Sequence, residues 1–288
     1  MFQTALTDAQ IAIGDFLTEQ MAPLGDTDIA QGMRYATNGG KRLRGFLVLE
    51  TAKLFDVPQD TAKFAAAAIE CLHAYSLVHD DLPCMDDDDL RRGQPTVHKK
   101  WDEATAVLVG DALQTFAFEL LCCDDAGSAE ERLALIASLA RASGASGMVL
   151  GQAQDIKAET AGHPLSLSEI TELQANKTGR LIEWSANAGA LLGGANPAPL
   201  KAYAKAIGLA FQIADDILDV EGDSATAGKA LRKDEDAGKA TFVSLLGLRA
   251  AKARASALVA DASAALSPYG EKAQTLHELA HYIVNRNK

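Results

Sequence analysis

The stretch FAAAAIECLHAYSLVHDDLPCMDDDDLRR, residues 64–92, determines how the rest of the chain is interpreted. Its first part, residues 64–78, is apolar and almost uncharged, which predicts a buried helix. Six aspartates follow between Asp80 and Asp89, and a pair of arginines comes directly after them. Ionised carboxylates at the end of a buried helix cost several kcal/mol unless they are paired or hold a cation. By itself the stretch therefore indicates either a cation site or a solvated acidic loop.

Helical periodicity extends over almost the whole chain, and no segment shows a convincing strand pattern. No stretch is rich enough in proline, glycine or serine to separate domains. The sequence therefore predicts an all-α fold in a single domain, residues 1–288. The predicted helices cover residues 4–22, 28–36, 44–55, 58–81, 101–123, 129–142, 164–193, 199–220, 240–265 and 268–285.

The composition of the 288-residue chain excludes several classes of partner. A formal net charge of −12 argues against nucleic acid and against an anionic membrane surface. The sequence has no charge-free apolar window of membrane-spanning length and no secretory leader, so we expect no membrane span. Four cysteines without metal-binding spacing indicate reduced, mostly buried thiols, which predicts a cytoplasmic location. They are Cys71, Cys84, Cys122 and Cys123.

A second acidic face lies on the predicted helix 199–220. Four polar residues at positions i, i+3, i+4 and i+7 share this face. They are Gln212, Asp215, Asp216 and Asp219. Like charges at this spacing repel each other, and a divalent cation is the simplest way to relieve the repulsion. Ligands that are all oxygen favour Mg²⁺ over zinc.

Other polar or small residues interrupt faces that would be apolar in a simple core helix. His73, Ser76 and Asp80 share one face of the first acidic helix, although a lone histidine is more often a satisfied core residue. Within the predicted helix 164–193, Gly179 indicates either a kink that turns Thr178 toward a cavity or an ordinary tolerated glycine. The sequence leaves both alternatives open.

Residues 39–45, GGKRLRG, form a glycine turn that opens onto the predicted helix 44–55. Backbone amides at a helix N-terminus, together with three nearby cations, predict a phosphate site. The alternative is a basic end to the preceding helix.

Together these stretches resemble the short-chain trans-prenyltransferases of the polyprenyl synthase family, and within it the bacterial farnesyl diphosphate synthases. The pair of aspartate motifs is highly specific, and the matching segments follow the family's order over nearly the whole chain. The visible departure is Gly45, where members usually have proline, which puts the local helix start in question. The matching segments are residues 39–44, 73–92, 177–178 and 211–219, with Lys229 and Lys239.

The resemblance implies one large all-α bundle around a deep central cavity, of the isoprenoid synthase type, and a homodimer. It also implies three Mg²⁺ ions, with Mn²⁺ as a substitute. The expected metal ligands are Asp80, Asp86 and Asp215, and the residues expected to orient bound water are Asp81, Asp216 and Asp219.

The implied reaction joins isopentenyl diphosphate to dimethylallyl or geranyl diphosphate through an allylic cation. Thr178, Gln212 and the carbonyl near Lys177 would stabilise that cation, and residues 221–239 and 286–288 are candidate lids. The residues expected to bind the allylic diphosphate are Arg91, Lys177, Thr178, Gln212, Lys229 and Lys239. Those expected to bind isopentenyl diphosphate are Lys41, Arg44, His73 and Arg92.

Product length should depend on the side chains that lie below Asp80 on its helix. Ser76 lies about one turn below and Tyr75 about a turn and a half below. In the family an aromatic ring at this position goes with a fifteen-carbon product, so we expect a farnesyl diphosphate synthase. The alternatives are a geranylgeranyl diphosphate synthase and, ranked well below it, a terpene cyclase, a non-catalytic regulatory subunit of the same fold, or a magnesium- or calcium-buffering protein.

Overall fold

The computed structural model of the chain describes residues 1–159, 162, 164–221 and 240–285. The described part consists almost entirely of helices, which confirms the predicted all-α class. The α-helices are α1 Phe2–Met21, α2 Asp28–Thr37, α3 Leu43–Leu54, α4 Gln59–Asp80, α5 Val97–Lys100, α6 Glu103–Cys122, α7 Ala129–Ser143, α8 Met148–Glu159, α9 Leu167–Gln174, α10 Arg180–Leu192, α11 Ala198–Glu221, α12 Phe242–Leu246, α13 Leu248–Ala265 and α14 Gln274–Asn285. A π-helical turn, Ala175–Gly179, lies between α9 and α10.

Several helices begin where the sequence provides a capping side chain. Thr27 accepts a hydrogen bond from the backbone N–H of Ala30 at the start of α2. Asp102 does the same for Thr105 at the start of α6. Ser166 opens α9 with a reciprocal capping box. Such caps satisfy amide groups that have no partner inside the helix, and each contributes roughly 1 kcal/mol.

One strand pair was not expected from the sequence. Residues Leu90–Arg91 (β1) and Gln94–Pro95 (β2) form a two-residue antiparallel hairpin. The connecting residues Arg92 and Gly93 both have positive φ values, 55° and 75°. Two consecutive left-handed residues make a type I′ turn, which matches the twist of an antiparallel pair. The hairpin therefore fixes the position of both arginines that follow the aspartates.

The residue contacts divide the chain into two compact units. The first contains Met1, Gln3–Ile136 and Leu191–Ala195, and the second contains Phe2, Ala137–Ala190 and Asn196–Lys288. In the first unit α4 packs against both α3 and α6. A run of alanines at residues 65–68 is almost completely buried, and such small side chains allow helices to pack closely.

The second unit, in its described part, is organised around α11. This helix packs against α13 and α14, and the Tyr203 hydroxyl donates to the carbonyl oxygen of Leu276 at 2.8 Å. Ile213 of α11 joins Ile170 and Phe242 in a buried apolar cluster. The helix that carries the second acidic face is thus anchored on its opposite, apolar side.

One expectation needs correction. Cys71 is buried, but Cys84 and Cys122 are exposed and Cys123 is partly exposed, so the cysteines are not mostly buried. The absence of a membrane span was predicted from charge-free windows. When up to two charged residues are allowed, α6 and the stretch Ala129–Ala158 are long and apolar enough to cross a membrane. Core helices of water-soluble proteins meet the same criterion, so this is weak evidence for a span.

Candidate active site

The acidic loop after α4 folds back onto the end of that helix. The backbone N–H of Asp86 donates to the carbonyl oxygen of Asp80 at 2.8 Å, and that of Asp87 donates to the carbonyl oxygen of Leu82 at 3.1 Å. Asp87 adopts the left-handed conformation, with φ of 48°, which closes the turn. The predicted metal ligands Asp80 and Asp86 are therefore neighbours in space as well as in the motif.

The next carboxylate of this motif, Asp81, is paired with Arg91 of the hairpin. The Nε atom of Arg91 donates to Asp81 Oδ1 at 2.9 Å, and an Nη2 donor reaches the same oxygen. Burial raises the pKa of Asp81, which the Arg91 contact partly offsets. Burial also opposes the charge on Arg91, but Asp81, Asp88 and Asp80 outweigh it and raise the Arg91 pKa. The pair orients the arginine that was expected to bind the allylic diphosphate.

A basic cluster forms around Glu70, a buried carboxylate of α4. The backbone N–H of Gly45 donates to Glu70 Oε1 at 2.8 Å. Burial lowers the pKa of Arg42, Arg44 and Arg92, and in each case the negative charge of Glu70 opposes that shift. We define these four charged residues as the Glu70 cluster. Three guanidinium groups share one carboxylate in it, so the cluster keeps a net positive charge.

The same contact explains the departure from the family pattern at position 45. Proline has no N–H group and could not donate to the carboxylate of Glu70. A Cβ added to Gly45 would also lie 2.6 Å from Cδ1 of Ile13. Glycine at this position therefore allows α1, α3 and α4 to meet around a buried charge.

His73 lies partly buried, one turn further along α4 from Glu70. Burial and then the charges of Arg44, Arg92 and Arg91 lower its pKa well below the ordinary histidine value of 6.5. The imidazole is therefore neutral at pH 7, as expected for a group surrounded by cations. A neutral ring can donate one hydrogen bond to an anion without adding to the local repulsion.

A cavity of about 460 Å³ opens beside these residues, and we call it the arginine cavity. The guanidinium of Arg92 lies against Gly40, where an added Cβ would come within 2.5 Å of it. Nη1 of Arg92 also points to the carbonyl oxygen of Asn38 at 3.4 Å. The lining of the arginine cavity includes Gly39, Gly40, Leu77, Asp81, Arg91 and Arg92. Two arginines on one wall suit a phosphate group, which a guanidinium can bind with two parallel hydrogen bonds.

In the second unit, Gly179, for which the sequence left a kink and an ordinary glycine open, is the last residue of the π-helical turn. Lys177 lies in this turn, and its Nζ contacts Oδ2 of Asp155 on α8 at 2.6 Å. The neighbouring Asn176 donates to Gln154 Oε1 at 3.1 Å. A Cβ added to Gly151 would lie 2.1 Å from the backbone nitrogen of Lys177. The α8 helix therefore packs directly onto the backbone of the turn and holds the lysine by its head group.

The acidic face of α11 is present as predicted, but its members differ in environment. Asp215 is exposed, whereas Gln212, Asp216 and Asp219 are partly buried. Asp216 Oδ2 accepts a hydrogen bond from the backbone N–H of Phe242 at 2.6 Å, at the first residue of α12. Asp216 thus also joins α11 to the start of α12.

The donor atoms suit magnesium. Within the described ranges, which omit residues 222–239, no three His, Cys, Asp or Glu side chains are grouped closely enough to hold a metal ion. Mg²⁺ is commonly bound through one or two carboxylates, several waters and the phosphates of a substrate. Asp80 and Asp86, whose backbones are joined by a hydrogen bond, supply two carboxylates at one end of α4, so the residue types present fit this ion.

Tyr75 and Ser76 occupy different surroundings on α4. The Tyr75 ring is buried, bonds through its hydroxyl to the side chain of Gln114 on α6, and packs edge-on against His79 with centroids 5.6 Å apart. Ser76 donates to the carbonyl oxygen of His73 at 2.9 Å. Tyr75 therefore has a fixed orientation between two helices, while Ser76 is tied to its own helix.

Some predicted residues are not brought together here. Lys229, Lys239 and residues 286–288 lie outside the described residues, as does most of the candidate lid. Thr178 is partly buried within the π-helical turn. Sequence reasoning missed Glu70, although a single carboxylate inside an apolar helix was a signal for it. It also left the role of Asp155 open.

Comparisons with known proteins show which family the chain belongs to. The family model described as "Polyprenyl synthetase" matches residues 26–279. The chain belongs to the polyprenyl synthetase family. It is 48% identical over 277 residues to the "Farnesyl diphosphate synthase" of Escherichia coli (strain K12), which covers 92% of each chain. It is 41% identical to a chloroplastic "Geranylgeranyl pyrophosphate synthase" of Capsicum annuum, covering 99% of this chain and 79% of the relative.

A solved structure of another protein has the same fold as this chain. The crystal structure of an FPP/GFPP synthase from Zymomonas mobilis matches with a TM-score of 0.90 and 48% identity. The match covers 98% of this chain and 99% of the other. The chain therefore has the all-α fold of the isoprenoid synthases.

Proposed function

We propose that the protein is a farnesyl diphosphate synthase. It would condense isopentenyl diphosphate with dimethylallyl or geranyl diphosphate and release diphosphate. The observation that carries this proposal is the arginine cavity beside the folded-back aspartate loop, because one fold element supplies a phosphate site and a cation site together. Curated relatives with this name at 43–48% identity support the same conclusion.

Isopentenyl diphosphate would bind on the cationic side of the first unit. Arg44 and Arg92 belong to the Glu70 cluster and would carry its excess positive charge, while neutral His73 would donate a hydrogen bond. Lys41 would add a flexible ammonium at the exposed glycine turn. This set explains why Glu70 is buried among cations rather than replaced by an apolar side chain.

The allylic diphosphate would contact Arg91, Lys177 and Gln212, together with Lys229 and Lys239. Asp80, Asp86 and Asp215 would hold Mg²⁺ ions, three in the loaded enzyme. Bound Mg²⁺ would neutralise the charge that develops on the departing diphosphate. Asp81 would keep Arg91 aimed at the same group, since it already accepts from two of its nitrogens.

The reaction breaks the allylic carbon–oxygen bond, and the bonding electron pair leaves with the diphosphate. The alkene of isopentenyl diphosphate attacks the resulting allylic cation and forms the new carbon–carbon bond. The departing diphosphate then takes the proton whose loss restores a double bond. Thr178, Gln212 and the carbonyl near Lys177 would stabilise the cation as neutral dipoles, because a charged nucleophile would trap it.

Tyr75 would limit the product to fifteen carbons. Its ring is held by Gln114 and His79, so it cannot rotate away without losing both contacts. The geranylgeranyl relative keeps the twenty-carbon alternative as the second candidate.

Product analysis tests the function directly. Purified protein with Mg²⁺, isopentenyl diphosphate and either allylic starter should give a fifteen-carbon main product. Tyr75→Ala should shift the main product to twenty carbons or longer, whereas Tyr75→Phe keeps the ring and should not. A twenty-carbon product from the unmodified chain would retain the reaction and reject Tyr75 as the limit. No condensation by a folded protein would reject the function.

The proposed enzyme is a soluble, cytoplasmic homodimer. On α6, Val107 and Leu108 are 41% and 53% exposed, on a helix that packs against α4 with its buried side. Exposed apolar residues that adjoin one another on a helix indicate an interface. Light scattering after size exclusion should give twice the chain mass, and Leu108→Glu should reduce it.

A further inference from the structure

A second cavity of about 690 Å³ lies in the first unit, on the other side of the glycine turn. It is bounded by the C-terminal half of α1, by α2, and by the residues that end α5. Its lining includes the carboxylates Asp15 and Asp26, the cations Arg34, Arg42 and Lys100, and the rings of Tyr35 and Trp101. The volume is that of a site for a small organic ligand rather than for a single ion. None of the residues assigned above to the substrates lines this cavity.

Arg42 is the most unusual residue of this cavity. Its backbone is left-handed, with φ of 47° and ψ of 38°, which is strained for a residue other than glycine. Nη2 donates to the carbonyl oxygen of Thr37 at 3.1 Å. Nη1 is buried and has no hydrogen-bond acceptor among the described residues. A buried guanidinium nitrogen without an acceptor costs roughly 1–3 kcal/mol, unless a ligand supplies the acceptor.

The opposite wall combines aromatic rings with a cation. Tyr35 and Trp101 pack edge-to-face with centroids 5.4 Å apart. Nζ of Lys100 lies 3.7 Å from the Tyr35 centroid and 4.9 Å from the Trp101 centroid. Arg34 is already occupied, because its Nη2 donates to the carbonyl oxygens of Met21 and Gly25. Of the three cations that line the cavity, Arg42 and Lys100 therefore remain for a ligand, and Asp15 helps to keep Arg42 charged.

We propose that this cavity is a second binding site, for an amphipathic organic anion. A phosphate or carboxylate group would accept hydrogen bonds from the guanidinium of Arg42 and from Lys100. A flat or apolar body would lie on Tyr35 and Trp101. The cavity is larger than the anionic head group alone needs, and the rings of Tyr35 and Trp101 provide a contact surface for the apolar part of the ligand.

The site is coupled to the arginine cavity through shared residues. Tyr35 and Asn38 line both cavities, and the Tyr35 hydroxyl donates to the carbonyl oxygen of Pro95 at 2.7 Å. On the far side, Gln10 donates to the carbonyl oxygen of Lys41 at 3.0 Å. A ligand that moves Arg42 must therefore act on the loop that carries Lys41. This consequence for substrate binding rests on the proposed function, whereas the binding itself does not.

Tryptophan fluorescence tests the binding without substrates or Mg²⁺. The chain has two tryptophans, and Trp184→Phe leaves Trp101 of the cavity as the only emitter. We expect 1-naphthyl phosphate or 1-naphthoate to quench Trp101 saturably and 1-naphthol, which lacks the anionic group, not to do so. The phosphate and carboxylate probes identify which head group is preferred. Absence of saturable quenching by both anions would reject the site.

Variants in the same background locate the bound probe. Arg42→Gln should weaken binding at least tenfold, and Lys100→Gln, at an exposed position that should not disturb folding, should weaken it several-fold. Arg91 lines only the arginine cavity, so Arg91→Gln should leave the probe affinity unchanged, as should Arg141→Gln at an exposed position. Undiminished quenching in the Arg42 and Lys100 variants, or its loss in the Arg91 variant, would place the probe elsewhere and overturn the proposal.

Steady-state kinetics tests the coupling separately. With saturating probe, the KM for isopentenyl diphosphate should change several-fold while the KM for the allylic substrate stays constant. Binding without any kinetic effect would keep the site but reject the coupling. An inactive enzyme that still binds the probe would reject the proposed function and leave the site intact.

Discussion

The two proposed diphosphate-binding regions handle positive charge in opposite ways. In the first unit three arginines share one carboxylate, Glu70, so the Glu70 cluster retains excess positive charge. In the second unit Lys177 has a carboxylate of its own, since Asp155 lies 2.6 Å from it. The comparison indicates that the first region is built to attract an anion, and the second to hold one cation in a defined position.

The charges of the two regions also contribute differently to the stability of the fold and to the orientation of side chains. Burial lowers the pKa of all three arginines, which shows that keeping them charged costs folding free energy. Glu70 offsets part of that cost. The Lys177–Asp155 pair has partly exposed side chains, so its contribution to stability is smaller and its value lies in orientation.

Glu70→Leu should produce the largest effect, because it removes the buried carboxylate that Arg42, Arg44 and Arg92 share and leaves the Gly45 N–H without an acceptor. We expect a loss of about 3–5 kcal/mol in the free energy of unfolding, measured by urea titration. Glu70→Gln keeps an acceptor for Gly45 and tests the charge alone, so its loss should be smaller. A change below about 0.5 kcal/mol for Glu70→Leu would contradict the role of Glu70.

Gly151→Ala tests the second region through packing instead of charge. The added Cβ would lie 2.1 Å from the backbone nitrogen of Lys177, so α8 and the π-helical turn must separate. Overpacking of this kind costs about 1–3 kcal/mol, and the displacement should also reduce kcat. Gly208→Ala is the matched control, since its Cβ would meet Gly179 at an ordinary 3.6 Å. Equal losses from both substitutions would show that Gly151 has no special role.

Asp155→Asn should affect the allylic substrate more than stability. Without the carboxylate, Lys177 loses its fixed orientation, and we expect kcat/KM for the allylic diphosphate to fall about tenfold, or about 1.4 kcal/mol. The KM for isopentenyl diphosphate should stay within about twofold. Lys177→Gln completes a double-mutant cycle with Asp155→Asn. Additive effects in that cycle would mean that the two side chains act independently.

His73 gives the smallest effect, which depends on pH. Its folded-state pKa lies well below 6.5, so the unfolded chain takes up a proton near pH 6.5 that the folded protein does not. Proton binding therefore stabilises the unfolded state as the pH falls. The free energy of unfolding decreases by at most about 1.4 kcal/mol per pH unit. Between pH 7.5 and 5.5 the wild type should lose more unfolding free energy than His73→Gln. An equal loss would show that His73 is protonated in the folded protein.

Much of the fold was predictable because helical periodicity is a local property. The ends of α2, α3 and α4 agree with the expectation to within a residue or two. The hairpin Leu90–Arg91 with Gln94–Pro95 was missed, because each strand is only two residues long and shows no alternation. The π-helical turn interrupts the predicted helix 164–193. Helical periodicity alone did not predict this turn.

The site was predictable where its chemistry is contained in a short motif. Both aspartate groups and the basic glycine turn are of that kind. The contacts Gly45–Glu70 and Lys177–Asp155 join residues 25 and 22 positions apart, and only packing brings them together. Arg42 was recognised as one cation among three, but its exclusion from the arginine cavity follows from its left-handed backbone.

The π-helical turn Ala175–Gly179 has a consequence for the chain's register. A π turn spans one residue more than an α turn, and each residue of an α-helix advances the side-chain direction by about 100°. The apolar positions of α10 are therefore shifted by one residue relative to a continuation of the α9 pattern. Each helix still has a continuous apolar stripe in space. Deleting one residue in this turn would restore the phase and rotate one stripe away from its core. The extra residue of the turn thus places Lys177, which is partly buried, opposite Asp155 of α8.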